Sequence, residues 1–283
     1  MVDQSPEARS LPASHGIAWL LQCLVLMRAQ PARLLLLALV LQFVLGLVQV
    51  PLLGLLIIIA MPALSAGLLQ GFHHVALGQR PVPTVLFAPL SVKPLTGRLL
   101  RLGALLFVAG VLIISLVMAG GEIDPELVVR IEQGDMDALA AIDPELIRRV
   151  VMAVMLGISV SGTLSFLTIP LIWFRRQKLG VALVVGLRAL LLNWKPFLLL
   201  SLGISVLIIP LAFIVGVVFQ MVAASRPLAF ILLGVVLFVM LAFQLVLFGT
   251  QYCAFREIFG VPAEAGGDLP VVAPAPDDDQ FVA

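Results

Sequence analysis

The stretch Trp173-Phe-Arg-Arg-Gln-Lys178, continued by a mostly apolar segment and then by Asn193-Trp-Lys-Pro-Phe197, decides the fold. It holds the densest basic cluster of the chain, and long hydrophobic blocks without acidic residues lie on both sides of it. Basic residues favour the cytoplasmic side of a bilayer, and tryptophan favours the level of the lipid headgroups. The stretch therefore predicts a cytoplasmic interfacial helix that joins two transmembrane hairpins.

The composition of the 283 residues indicates a membrane protein. Hydrophobic residues make up 61% of the chain and charged residues only 12%, with a mean hydropathy of +1.16. Soluble globular proteins carry about 25% charged residues, so the apolar blocks are expected to face lipid. The net charge of +1 gives no global field that would attract nucleic acid, and no nucleic-acid partner is expected.

The hydrophobic blocks divide into six segments, because a helix needs about 20 apolar residues to cross a bilayer. We predict an all-α polytopic membrane protein, with six transmembrane helices in three hairpins and with cytoplasmic interfacial helices, within a membrane domain of residues 15–260. Residues 1–14 and the acidic, proline-rich residues 261–283 are expected to be disordered tails. The predicted spans are residues 34–50, 52–72, 102–119, 150–174, 197–222 and 228–253.

A hydrophilic insertion at residues 120–149 separates the third span from the fourth. It carries eight acidic residues and a short repeat, Ile123-Asp-Pro-Glu-Leu127 and Ile142-Asp-Pro-Glu-Leu146. Asp is a good helix N-cap, and proline is favoured at the first helical position. Each copy of the repeat therefore predicts the start of a helix, with the acidic residues as caps and as a solvated face.

The positions of the basic residues predict the orientation. If the N-terminus is cytoplasmic, 13 of the 17 Lys and Arg residues fall in cytoplasmic segments, whereas the reverse orientation leaves four there. Loops rich in Lys and Arg stay in the cytoplasm. We therefore expect both termini to be cytoplasmic, and the acidic insertion to face the outside.

A basic segment that ends in a proline precedes each predicted hairpin. The prolines are Pro31, Pro94 and Pro196. If the three hairpins are a true repeat, they would have parallel orientation about an axis along the membrane normal, although shared membrane constraints produce a similar pattern.

Within the first hairpin, Ala63, Gly67 and Gly71 form a ladder of small residues that favours close helix packing inside the protein over dimerisation.

The basic cluster beside Trp173 is a candidate site for lipid headgroups, formed by Arg175, Arg176 and Lys178. Basic residues near an anionic membrane surface contribute about 1 kcal/mol each. The alternative is that these charges only fix the orientation of the chain. The partners expected are therefore the lipid bilayer and, at this cluster, anionic lipid; the sequence identifies no protein partner.

Hydroxyl side chains in the fourth span form a second candidate. Ser161, Ser165 and Thr168 fall on one face of a continuous helix and are candidates for lining a pathway. The structural alternative is a hydrogen bond to a neighbouring helix, typically worth about 0.6 kcal/mol, or to the preceding turn of the same helix.

The sequence offers little for catalysis or metal binding. Its three histidines are His15, His73 and His74, and its two cysteines are Cys23 and Cys253. None has partners at a recognised catalytic or ligand spacing, and no hydrolase, zinc-protease or nucleotide-binding motif occurs. We expect no enzymatic activity, no catalytic or metal site and no cofactor.

Four short segments carry a resemblance to a known family. They are Pro62-Ala-Leu-Ser-Ala-Gly67-Leu-Leu, Leu86-Phe87-Ala88, Arg188-Ala-Leu-Leu-Leu-Asn193-Trp-Lys-Pro196-Phe197 and Tyr252-x-x-Phe-Arg256-Glu257-Ile258-Phe259. With these segments the chain resembles an uncharacterised family of proteobacterial six-pass inner-membrane proteins. The resemblance implies a bacterial inner-membrane location and six helices, and it carries no catalytic or binding residues.

Two functions remain from the sequence. The first is a non-enzymatic membrane protein that acts as a scaffold, an assembly partner or a lipid-interacting protein. The alternative is a transporter or channel for a small neutral or anionic solute. Intramembrane ionisable residues usually mark proton and ion relays, and the predicted spans contain them only at their ends. Proton coupling through a buried carboxylate is therefore not expected.

Overall fold

A computed structural model describes residues 8–119, 130, 143–224 and 229–260. Six of its helices are long and apolar enough to cross a membrane. The prediction of an all-α polytopic membrane protein is confirmed. Two shorter apolar helices, His15–Ala29 and Leu179–Leu192, precede the first and third hairpins at the places where interfacial helices were predicted.

The helices follow the chain in the order of the hydrophobic blocks. Short 3-10 turns at Leu47–Gln49 and Pro83–Phe87 lie between some of them. Several helices extend beyond the predicted apolar spans, because the flanking basic residues continue the same helix. The helices are α1 His15–Ala29, α2 Pro31–Gly46, α3 Pro51–Ala76, α4 Ala88–Ser91, α5 Lys93–Met118, α6 Pro144–Phe166, α7 Thr168–Arg175, α8 Leu179–Leu192, α9 Trp194–Ala224 and α10 Ala229–Phe259.

Prolines in the first turn begin many of these helices, as at Pro31 of α2 and Pro51 of α3. Proline suits this position because its missing N–H would have no intrahelical partner there. At the start of α6, the Asp143 side chain accepts a hydrogen bond from the backbone N–H of Glu145 at 3.0 Å, which confirms the predicted cap. The other copy of that repeat, and most of the insertion 120–149, lie outside the described residues.

Each basic segment that precedes a hairpin packs on a different hairpin, and together these contacts follow a cyclic order. The segment before the first hairpin, α1, packs on the third hairpin, where a Cβ on Gly16 would overlap the carbonyl oxygen of Pro196. The segment before the second hairpin packs on the first, with Gly67 of α3 against the backbone of Leu86. The segment before the third, α8, packs on α6 and α7 of the second hairpin. The three hairpins are thereby joined in a ring.

The second half of each hairpin contributes aromatic side chains to the centre of the bundle, and α10 contributes both Tyr252 and Phe255. His73 of α3 lies against Phe174 of α7, with 5.4 Å between the ring centroids. Phe174 in turn stacks on Phe255 of α10 at 5.6 Å. Around these rings the buried residues of α3 form an unbroken run from Pro62 to His73. The small-residue ladder thus serves packing inside the protein.

The buried centre lies at one end of the bundle, called here the basic end, where Arg9, Arg98, Arg175 and Arg256 are found. Both ends of the described chain lie here, since the backbone N–H of Arg9 donates to the carbonyl of Ile258 at 3.1 Å. Residues 8–14 were assigned by sequence to a disordered tail, but the structure places them against the bundle. Residues 1–7 and 261–283, the rest of both predicted tails, lie outside the described residues.

Candidate functional site

Arg175, the first residue of the sequence-predicted headgroup site, is engaged inside the protein. It ends α7, and its guanidinium donates to the carbonyl oxygen of Phe259 and, at 2.8 Å, to that of Gly260. These carbonyls belong to the end of α10, where a positive charge is favourable because the helix dipole is negative there. Arg175 thus joins the second hairpin to the third.

Arg176 shapes the backbone that follows α7. It adopts a left-handed conformation with φ of 52°, and the next backbone N–H, of Gln177, bonds back to the carbonyl of Leu171 at 3.2 Å. This is the usual hydrogen-bonded end of a helix, at a position that favours glycine. The carbonyl of Arg176 accepts from the Arg98 guanidinium, while the Arg176 side chain is exposed.

Lys178, the third predicted residue, lines a pocket of about 500 Å³ together with Arg98 and Arg101 of α5. Arg98 and Arg101 are three residues apart, so they are neighbours on one helix face. Arg98 also donates to the carbonyl of Gln177 at 3.2 Å, which holds the loop against α5. We call this the basic pocket, and Pro94, Leu179 and Gly180 complete its lining.

Helix α8 begins in the wall of the basic pocket. Its N-cap is Lys178, in an extended conformation and without a side-chain hydrogen bond to the helix end. The first backbone N–H groups of a helix have no intrahelical acceptor and carry the positive end of the dipole, a combination that binds anions. A Cβ at Gly180 would have no atom within 4 Å, so a ligand can approach this backbone. No acidic residue is among the described residues that line the pocket.

The two tryptophans that bracket the opening stretch lie in different surroundings. Trp173 is buried, and its indole N–H donates to Oε1 of Gln70 at 2.9 Å. Trp194 is exposed, and the Lys195 ammonium lies over its ring at 5.7 Å from the centroid. Only Trp194 has the exposure expected of a residue at the level of the headgroups.

The predicted pathway residues divide between two sides of the structure. Ser161 and Ser165 line a cavity of about 400 Å³ between α3, α5 and α6, and Ser65 of α3 joins them. Thr168 is buried on the α8 side, where its hydroxyl would lie 3.2 Å from a Cβ on Gly186. The structure therefore brings two of the three residues together. Sequence reasoning missed Ser65, whose only signal was that it is a polar residue within the predicted span 52–72.

The histidines and cysteines take part in packing at the basic end. Nδ1 of His15 lies 2.7 Å from Oε1 of Glu257, whose other oxygen accepts from the indole of Trp19. Burial raises the pKa of the Cys23 thiol to about 11, which leaves it protonated at neutral pH. Among the described residues, no group of three or more His, Cys, Asp or Glu side chains is placed to hold a metal ion.

Six apolar helices, closed at one end by a polar and aromatic centre, define a multi-pass helical membrane protein. Comparison with known proteins adds no family to this class: no family model, no curated protein and no solved structure matches the chain. Its function is therefore inferred from its own residues, chiefly from the basic pocket and the serine-lined cavity.

Proposed function

We propose that this chain is a non-enzymatic protein of the bacterial inner membrane that binds the phosphate of anionic lipids in the basic pocket. The observation that carries the proposal is the convergence of Arg98, Arg101 and Lys178 on the first turn of α8. Three cations and a set of free backbone N–H groups suit a phosphate, which offers several acceptor oxygens and negative charge.

The depth of the basic pocket favours a lipid phosphate. Pro94, Arg98 and Arg101 lie in the first turns of α5, and the apolar part of the same helix follows directly. A helix of this length places its charged first turns at the membrane surface and the remainder in hydrocarbon. The phosphate of a neighbouring lipid lies at the same level, so no diffusing ligand is needed to occupy the pocket.

The proposed orientation places the basic end in the cytoplasm, with both termini on that side. Positive charge on the cytoplasmic side supports it, as does the negative surface potential of that leaflet, which attracts basic segments. The resemblance to proteobacterial six-pass proteins supports the inner-membrane location. The basic residues on this side are Arg9, Arg28, Arg33, Arg80, Lys93, Arg98, Arg101, Arg175, Arg176, Lys178, Arg188, Lys195 and Arg256.

The transport alternative has one supporting observation, which is the cavity that Ser161 and Ser165 line. The described residues around this cavity carry no charge, so it favours a neutral solute over an anionic one. Scaffold and assembly roles stay predictions, and they are compatible with a bound lipid.

The test is lipid retention by full-length protein in which Arg101→Gln and Lys178→Gln are combined. Arg98 is kept because it holds the loop at Arg176 and Gln177. Each basic residue near an anionic surface contributes about 1 kcal/mol, so binding of phosphatidylglycerol should weaken by about 30-fold. Native mass spectrometry of the protein released from bilayers counts the bound phosphatidylglycerol against phosphatidylcholine.

The matched control combines Arg188→Gln and Lys195→Gln, which remove the same charge from exposed positions at the same end but outside the pocket. This control should retain lipid, and so should Arg175→Gln, because Arg175 is engaged with α10. Equal loss in the control and pocket variants would show general surface attraction and overturn the proposal. Displacement of the lipid by inorganic phosphate alone would identify a soluble anion as the ligand, again against the proposal.

A further inference from the structure

A second cavity, on the opposite face of α5 from the basic pocket, is called here the serine groove. It holds about 400 Å³, within the range of about 300–1,000 Å³ that small-molecule sites occupy. Gly103, Phe107 and Gly110 of α5 line it, whereas Arg98 and Arg101 point about half a helical turn away at 100° per residue. The two cavities are separate sites.

The serine groove contains polar groups that have no partner in the described part of the chain. Ser65 is 5% exposed, and neither its hydroxyl nor that of Ser161 makes a hydrogen bond to the described residues. The Ser165 hydroxyl makes only a long hydrogen bond, of 3.4 Å, to the carbonyl of Gly162 in its own helix. Pro62 has no N–H, so the carbonyl of Ile58 lacks its usual partner four residues on. Unpaired polar groups at membrane depth are costly, and in membrane proteins they are satisfied by a neighbour or by a ligand.

The position and charge of the groove restrict its ligand. Its lining on α5 starts at Gly103, about 15 Å along the helix from Lys93 at 1.5 Å per residue, so the polar groups lie below the headgroups. The described lining residues are all uncharged. An ion would be desolvated there without a counter-charge, whereas an uncharged molecule already dissolved in the bilayer can enter from the side.

We infer that the serine groove binds an uncharged, membrane-soluble alcohol, which is a hydrocarbon chain or ring system that carries one hydroxyl. A hydroxyl both accepts and donates a hydrogen bond. It can accept from Ser65 or Ser161 and donate to the carbonyl of Ile58, which Pro62 deprives of its usual helical donor, while its hydrocarbon lies against Leu106, Phe107 and Val111. A hydrocarbon without the hydroxyl would leave the hydroxyls of Ser65 and Ser161 unpaired.

The experiment uses full-length protein in phosphatidylcholine nanodiscs and a diazirine-bearing hexadecanol as the probe. After illumination, mass spectrometry locates the labelled peptides, which should come from α3, α5 and α6 at the groove. Unlabelled hexadecanol should compete for this labelling. Hexadecane and palmitate should compete poorly, because the first lacks the hydroxyl and the second is charged. Equal competition by hexadecane would overturn the inference, since hydrocarbon packing alone would then explain the labelling.

Variants separate the groove from general exposure to the probe. Gly110→Leu fills the groove, because a Cβ there meets open space, and it should abolish labelling of the groove peptides. The matched control is Gly216→Leu, an exposed helical glycine of α9 that also has no atom within 4 Å, and labelling should persist. Ser161→Ala should weaken labelling about two- to tenfold through the lost hydrogen bond. Unchanged labelling in Gly110→Leu, with thermal stability retained, would rule the site out.

Discussion

The two ends of this molecule are built differently. In α3, the twelve consecutive residues from Pro62 to His73, toward the basic end, are all buried, whereas only Gly54 and Ile57 are buried in the half before them. At the basic end, tryptophans also donate to polar partners, Trp19 to Glu257 and Trp173 to Gln70. The opposite half of the bundle consists of helices whose Leu, Ile, Val and Phe side chains are largely exposed in the isolated chain.

This difference shows where the sequence specifies the arrangement of the helices. In a bilayer, lipid tails are as apolar as Leu, so burial of a Leu side chain against another helix gains little. Close contacts between small residues and hydrogen bonds supply the specificity instead. These features concentrate at the basic end and at mid-depth, so substitutions there are expected to have larger effects than the same substitutions elsewhere.

The largest effect is expected from Gly103→Ala. A Cβ at this position would overlap the carbonyl oxygen of Ile59, whose backbone cannot move without disturbing α3. The loss of unfolding free energy should be about 3 kcal/mol or more, at the upper end of overpacked substitutions. Gly110→Ala, seven residues further along the same helix, meets open space. It should be neutral or stabilising by up to about 1 kcal/mol, since alanine favours the helix. Reversible unfolding in mixed micelles measures both, and equal losses would contradict the contact.

An intermediate effect is expected from Glu257→Ala at the basic end. The substitution leaves the fully buried indole N–H of Trp19 without its acceptor and removes the partner of His15. An unsatisfied buried donor costs about 1–3 kcal/mol, which thermal unfolding of purified protein should detect. The comparison variant is Glu145→Ala in the opposite half, whose ion pairs with Arg148 and Arg149 lie at the surface of the described chain. Its unfolding should match that of the unmodified protein, and a larger loss there than in Glu257→Ala would refute the contrast between the two ends.

The smallest effect is expected from Arg176→Gly, which should raise the unfolding free energy instead of lowering it. Arg176 has φ of 52°, a conformation that glycine adopts without the steric cost that other residues bear. The variant should gain about 1 kcal/mol in unfolding free energy. Retention of phosphatidylglycerol should be unchanged, because Arg176 does not line the basic pocket. Gln177→Gly, one residue further on and without a positive φ, should lose stability in the same assay. A destabilised Arg176→Gly protein would count against the backbone explanation.

The membrane class and the number of candidate spans could be predicted from the sequence, because long apolar blocks and their basic flanks are local features. The lining of the basic pocket could not be predicted, because Arg175, Arg176 and Lys178 are neighbours only along the chain. The end of α7 directs Arg175 toward α10 and Lys178 toward α5. Arg98 and Arg101 join Lys178 through tertiary packing, for which the sequence holds no local signal.

The predicted hydroxyl face shows a second limit. Ser161, Ser165 and Thr168 share one face only if the helix is continuous. The chain leaves α6 at Phe166 and begins α7 at Thr168, and the interruption at Leu167 turns Thr168 toward α8.

Residues 8–14 also could not be placed from the sequence, since their composition is that of a disordered tail. They are held by a distant side chain: Asn193 accepts from the N–H of Leu11 at 2.8 Å and donates to the carbonyl of Arg9 at 3.0 Å.

The cyclic packing of the three hairpins has a consequence for biosynthesis. Trp19 of α1 leaves the ribosome before any of the six candidate spans, and its hydrogen-bond acceptor, Glu257, is 238 residues further along the chain. Because α1 packs on α9 and α10, it reaches its final place only after these two helices have been made. A nascent chain that stops before α9 therefore leaves α1 without the two helices on which it packs.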